Sequence, residues 1–220
     1  MRANRFFSAV LAGFLLTQGI LYLAFLSLDL TGHGTAAVYL KDLSIILCLS
    51  YSLYAAFHGG DRLVTLAMGL TVAADCFLLV SGDQLMFGII LFLCVQTVYL
   101  FRLRLLGAPQ ALYLRAGLAL LIGLLLYSLK LATPLNLLAG LYFSQLLSNA
   151  VLAWTTPGRL FAVGLALFVC CDICVGLYNS GLLSSDFCFM VSIGMWLFYL
   201  PSQVLIVLSA LPKEVLHENQ

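Results

Sequence analysis

Charge is what this sequence has least of. Only 9% of its residues are Asp, Glu, Lys or Arg, against about 25% in a soluble domain. With a hydrophobic share of 63% and a mean hydropathy of +1.10, the scarcity excludes an ordinary soluble domain and points to a polytopic helical membrane protein. A net charge of +1 and no basic arm leave nothing to hold a nucleic acid. Histidine is nearly as scarce: His33, His58 and His217 fall in loops or the tail. That disfavours an intramembrane His-ligated zinc hydrolase. No G-x-S-x-G elbow presents a serine nucleophile, and no glycine loop would cradle a nucleotide.

Cysteine is present, at Cys48, Cys76, Cys94, Cys170, Cys171, Cys174 and Cys188, but a disulfide framework belongs to small secreted domains. Inside apolar runs a thiol behaves as a small hydrophobe. The donors of Cys170, Cys171, Asp172 and Cys174 do not make a convincing metal site. Residues 170 and 171 point to different helix faces, and no His lies nearby. Small residues packing at a helix interface is the expected role. No metal and no organic cofactor is expected.

What the chain has in abundance is apolar runs of about 20 residues, the length that crosses the hydrocarbon core as a helix. Eight are readable, at roughly 6–28, 36–57, 63–81, 85–102, 110–129, 134–154, 159–180 and 187–210. Short punctuated connections such as "HGGDR", "GAPQ" and "TTPGR" join them. No stretch is left for a soluble domain, so 1–220 reads as a single integral membrane domain. The start "MRANRFF" mimics a signal peptide, but its apolar run is too long and lacks a clear cleavage site, so a retained first helix is expected. Arg2, Arg5, Arg62, Arg102, Arg104, Arg115, Arg159 and Lys213 fall at the end shared by both termini. Only Lys41 and Lys130 fall at the other, which predicts cytoplasmic termini. The expected architecture is all-α: eight transmembrane helices around a polar intramembrane cavity, multi-pass in the cell membrane.

Ionisable groups inside spanning helices cost about 2.5–3.5 kcal/mol each on insertion scales and by default mark function. Here they are Lys41 and Asp42 in the outer part of the second span, Asp75 in the third and Asp172 in the seventh. Residues at i, i+3, i+4 and i+7 share a helix face. By that spacing Gln96 and Tyr99 join Gly88 and Phe92 in the fourth helix. Tyr142, Gln145 and Asn149 align in the sixth, Tyr199 and Gln203 in the eighth, and Gly164 and Phe168 with Asp172 in the seventh. Helices one and five look nearly uniformly apolar. The simplest arrangement rings two, three, four, six, seven and eight around the cavity and leaves one and five peripheral. Gln, Asn and Tyr in such helices often only bond a neighbouring helix, and Lys41 can simply snorkel. Asp75 and Asp172 resist that reading, because Lys41 can satisfy at most one of them. Two carboxyl groups in unlike environments can hold unlike protonation states, which equips a pocket for acid/base hydrolysis.

These residues resemble the YhhN family of lysoplasmalogenase-like membrane proteins over about residues 36–210. The carriers are "YLKDLSIILCL", "AADCFLLVSGDQLMFGIILFLCVQTVYLFRL", "GRLFAVGLALFVCCDICVGLYN" and "WLFYLPSQVLI". The chain departs from the family pattern at Ala74, Gln96 and Cys171, where Gly, His and Ser are usual. The resemblance implies hydrolysis of the vinyl-ether bond of a lysoplasmalogen to a fatty aldehyde and a glycerophospho-alcohol, with a lysophospholipid as substrate. It implies Asp75 and Asp172 as the catalytic pair. It further implies Lys41, Gln96, Tyr99, Tyr142, Asn149, Tyr199 and Gln203 as residues that position head group and water. The same acids would also serve a small proton-coupled transporter, or the fold a non-catalytic lysolipid binder, so both remain alternatives.

Overall fold

The computed structural model of the chain describes residues 2–31, 34–80, 84–181 and 183–211. His33, Asp83, Lys213 and His217, and the side chains of Arg2 and Arg5, lie outside what is described. The fold is all-α, with α1 (Arg2–Leu30), α2 (Gly34–Phe57), α3 (Arg62–Asp75), α4 (Leu85–Leu105), α5 (Leu112–Ser128), α6 (Pro134–Ala153), α7 (Arg159–Asn179) and α8 (Ser185–Leu208). Local chemistry sets several boundaries. Asp61 caps α3 by accepting from the Leu63 N–H at 2.9 Å. Thr133 caps α6 by accepting from the Asn136 N–H at 3.2 Å, and Pro134 follows at the first helical position.

Among the described residues, six helices (α1, α2, α4, α6, α7 and α8) are long and apolar enough to cross a membrane. α5, at 17 residues, and α3, at 14, are shorter. The third expected span does not run as one uniform α-helix: after Asp75 the chain changes to a π-helical turn over Cys76–Val80. A π-turn takes in one extra residue and rotates the side chains beyond it about the helix axis, and such turns gather at functional sites.

The packing order is a closed ring. α2 touches α3, α3 touches α4, α4 touches α6, α6 touches α7, α7 touches α8, and α8 returns to α2. α1 packs on α2 and α8, and α5 on α6. Large apolar side chains such as Leu16, Leu23, Phe101, Leu120, Leu124 and Phe189 stay exposed. Beside the long apolar helices, that marks a surface solvated by lipid.

Small residues set how closely the ring helices approach. A Cβ on Gly164 would sit 2.8 Å from Ile206 Cγ1 and 3.2 Å from the Ser202 carbonyl, so glycine lets α7 lie against the α8 backbone. Gly164→Val is expected to lower stability by about 1–3 kcal/mol through overpacking. Gly117→Val on α5 meets nothing within 4 Å and serves as its control. Thermal melting of the detergent-solubilised protein checks both.

One end of the ring is clasped by Arg102. Its Nε donates to Asp61 Oδ2 at 2.7 Å, its Nη1 to Ser209 Oγ at 2.9 Å and its Nη2 to the Ser209 carbonyl at 2.8 Å. Its guanidinium lies 4.1 Å from the Phe161 ring centroid. The Asp61 N–H donates to the Ala210 carbonyl at 2.9 Å. Residues of α4, the α2–α3 connection, α7 and the end of α8 therefore meet at one charge. This fixes the end at which each of those elements starts or stops.

Candidate active site

Asp75 closes α3 just before the π-turn and is 6% exposed. The Tyr199 hydroxyl of α8 donates to its Oδ2 at 2.7 Å. Two local devices bring these elements together. Gly88 of α4 leaves room for Leu78 of the π-turn, whose side chain lies 2.6 Å from where a Cβ would stand. Pro201 lacks the N–H that would bond the Leu197 carbonyl four residues back, and that carbonyl instead accepts the Tyr22 hydroxyl of α1 at 3.2 Å.

Asp172 sits on α7 with Oδ2 buried and without a hydrogen-bond partner. The Tyr142 hydroxyl of α6 faces its carboxylate without completing a hydrogen bond to it. Cys171, buried and a free thiol, lies within electrostatic reach of both Asp172 and Asp75. Tyr142 and Tyr199 are within reach of each other. Aromatic rings wall the pair: Phe168 lies 5.6 Å from Tyr199 and 5.8 Å from Phe92, and Phe92 lies 5.8 Å from Tyr142. The two acids are thus joined through Cys171 and through the ring chain Tyr199–Phe168–Phe92–Tyr142, in a cluster drawn from α3, α4, α6, α7 and α8. Among the described residues neither makes an ion pair.

The other residues singled out in the sequence are placed differently. Lys41 is buried and pairs with Asp29 of α1 at 2.7 Å, with its ammonium 4.6 Å from the Trp196 ring centroid and 5.5 Å from that of Phe25. It answers neither Asp75 nor Asp172, although Trp196 lies 5.5 Å from Tyr199. Asn149 is held between helices: it accepts from Arg115 Nη2 at 2.7 Å and donates to the Gln96 side chain at 3.0 Å. Arg115 also donates to Gln145 at 2.8 Å. Tyr99 packs on Phe161 at 5.4 Å, toward the clasp. Gln203 is buried with both amide atoms unpartnered.

Helices one and five are therefore not uniformly apolar in role. α5 turns Arg115 inward. α1 sends in Gln18, which donates to the Ser44 carbonyl at 2.9 Å and accepts from the Ser44 hydroxyl, together with Tyr22 and Asp29. Residues 18, 22, 25 and 29 follow the helical face spacing, a signal present in the sequence. Open surface grooves of about 730 Å³, between α2 and α3, and about 520 Å³, near Tyr127–Thr133, contain neither acid.

A family model described as the YhhN family matches residues 36–210, which contain both acids and the six ring helices but for the first two residues of α2. The chain belongs to the YhhN family. No curated protein and no solved structure matches it. The YhhN match begins in α2 and omits α1, so Asp29, which holds Lys41, lies outside the matched region.

Buried polar atoms without a partner cost about 1–3 kcal/mol each. In this YhhN protein the described residues include nine, on Tyr51, Thr71, Gln96, Tyr99, Tyr142, Asp172, Ser202 and Gln203. Every ring helix contributes at least one, and among the described residues neither α1 nor α5 contributes any.

Proposed function

We propose that this chain is a membrane-embedded hydrolase that cleaves the vinyl-ether bond of lysoplasmalogens, using Asp75 and Asp172 in an intramembrane pocket of an eight-span bundle. Both termini face the cytoplasm and the protein resides in the cell membrane. Membership of the YhhN family supports the reaction class. The observation that carries the assignment is the pair of cation-free carboxylates, Asp75 buried and Asp172 half-buried with its Oδ2 enclosed, near Tyr142 and Tyr199.

The chemistry needs one proton donor and one acceptor. An acid protonates the alkenyl carbon remote from oxygen, which leaves an oxocarbenium centre at the carbon attached to oxygen. Water adds there and gives up a proton to a carboxylate. The resulting hemiacetal collapses: its hydroxyl proton passes to the leaving oxygen, and aldehyde and alcohol separate. Asp75, oriented by the Tyr199 hydroxyl, is assigned as the carboxylate that stabilises the cation and takes the water proton. Asp172, with Oδ2 unpartnered, is assigned as the donor. The substrate chain lies along the aromatic wall, and the Lys41–Trp196 corner lies on the side where the head group rests.

Purified protein is expected to release fatty aldehyde from a 1-alkenyl lysophospholipid and to leave the 1-acyl analogue intact. Absence of aldehyde from well-folded protein sinks the assignment. Tyr199→Phe keeps the ring and removes the donor to Asp75. A hydrogen bond to a charged group is worth about 1.5–3 kcal/mol, so turnover should fall about 10- to 100-fold.

The π-turn after Asp75 and Pro201 beside Tyr199 also give α3 and α8 the interruptions that transporters use. Solute uptake into proteoliposomes without aldehyde release would favour that second reading.

A further inference from the structure

Tyr51 and Ser202 aside, the residues with unpartnered buried groups fall in register with one another. Thr71 lies four residues before Asp75, Gln203 four after Tyr199, and Gln96 four after Phe92. Each therefore shares a helix face with a residue of the acid cluster, one turn nearer the Arg102 clasp. At about 1.5 Å rise per residue, Tyr99 stands about 5 Å from the clasp along α4, and Gln96 and Gln203 about 9 Å along α4 and α8. Thr71 stands about 15 Å from it along α3, level with Tyr199. Counted along the helix axes, the steps between neighbours are a few ångströms.

At the clasp end Tyr99 lies within electrostatic reach of Arg102. Arg102 in turn holds Asp61, whose side chain is 30% exposed. A file of polar groups thus begins at a solvent-reaching carboxylate and ends at the two acids. On α7 the same face carries Gly164 and Phe168 rather than a polar side chain, so the file runs along α3, α4 and α8.

We propose that this file is a hydrated shaft, closed from lipid by the ring, through which water and protons pass between the clasp end and Asp75 and Asp172. Buried amides and hydroxyls with no protein partner are satisfied by ordered water when they stand close enough to share it. A lipid substrate arrives from the bilayer, whereas the water that hydrolyses it does not dissolve there. The shaft separates the two routes. Its hydration stands on the geometry alone; its role in supplying the hydrolytic water rests on the proposed reaction.

Hydroxyl-radical footprinting of the whole protein in lipid nanodiscs tests it, because radicals formed in bound water modify the side chains beside them. Tyr99, at 0% exposure, should be modified within about fivefold of the rate of Tyr113, which is 94% exposed, and about tenfold faster than the buried Phe25. Tyr142 and Tyr199 should label like Tyr99. The double variant Thr71→Val, Gln203→Leu should slow labelling of Tyr142 and Tyr199 about fivefold and leave Tyr99, nearer the clasp, unchanged. If that variant fails to fold, the wild-type rates alone decide. Labelling of Tyr99 no faster than Phe25, or fast labelling that stops at Tyr99, overturns the shaft. Fast labelling of all three in a protein that releases no aldehyde leaves the shaft standing and removes only its hydrolytic role.

Discussion

Asp75→Asn and Asp172→Asn are each expected to cut aldehyde release from a lysoplasmalogen by about 10²–10⁴-fold, the range attributed to a positioned acid or base. The substitution keeps shape and removes only the capacity to gain or lose a proton. Neither carboxylate is ion-paired among the described residues, so no buried cation is stranded. An amide at position 75 can still accept the Tyr199 hydroxyl through its oxygen. Melting temperature should therefore stay within a few degrees of wild type while turnover collapses. The two variants should also differ. Without the donor, protonation of the alkenyl carbon stops, so Asp172→Asn should be the deader enzyme. Asp75→Asn should retain a trace, because water can still meet the cation unaided. Full activity in both variants would remove the acid/base assignment and leave the family without a catalytic explanation in this chain.

The all-α class, the approximate helix positions and the membership of the ring were legible because each rests on a one-dimensional pattern. Apolar runs bounded by "HGGDR" or "TTPGR" give helix ends, and the face carrying Phe92, Gln96 and Tyr99 shows which side of α4 turns inward. α1 was misread as nearly uniformly apolar: Gln18, Tyr22, Phe25 and Asp29 stand at face spacing, but their long apolar neighbours mask that stripe. Arg115 illustrates a second limit. A positive charge near a helix start reads as a headgroup anchor, whereas the structure turns it to Gln145 and Asn149. That choice depends on two residues about a span away in sequence, which no local pattern encodes.

The partners of charge were the least legible feature. Lys41 lies one residue from Asp42 and within the same bundle as Asp75 and Asp172, yet it pairs with Asp29. The π-turn at Cys76 has no composition of its own; it arises where Asp75 must reach Tyr199 while Leu78 packs into the space left by Gly88. Both are tertiary outcomes. Together they explain why the acids could be nominated from the sequence while the groups around them could not.

Arg102→Ala should be the most destabilising single change outside the acid cluster. The guanidinium makes three hydrogen bonds and covers the Phe161 ring. Its loss leaves Asp61 and the Ser209 carbonyl without their donor. Breaking a fully buried pair costs about 3–5 kcal/mol. Because Asp61 is 30% exposed, water recovers part of its solvation, and about 3 kcal/mol is expected. For a chain of this size that is a fall on the order of 10 °C in Tm, measured on the detergent-solubilised protein. Arg102→Lys keeps the charge but loses the planar fork that serves Asp61 and Ser209 together, so it should recover less than half of the loss. Arg104, two residues on and exposed, provides the contrast, and Arg104→Ala should move Tm by no more than about 2 °C. If Arg102→Ala melts with wild type, the ring is held by its apolar faces alone. The clasp would then be a surface charge pair rather than the point at which four elements are locked.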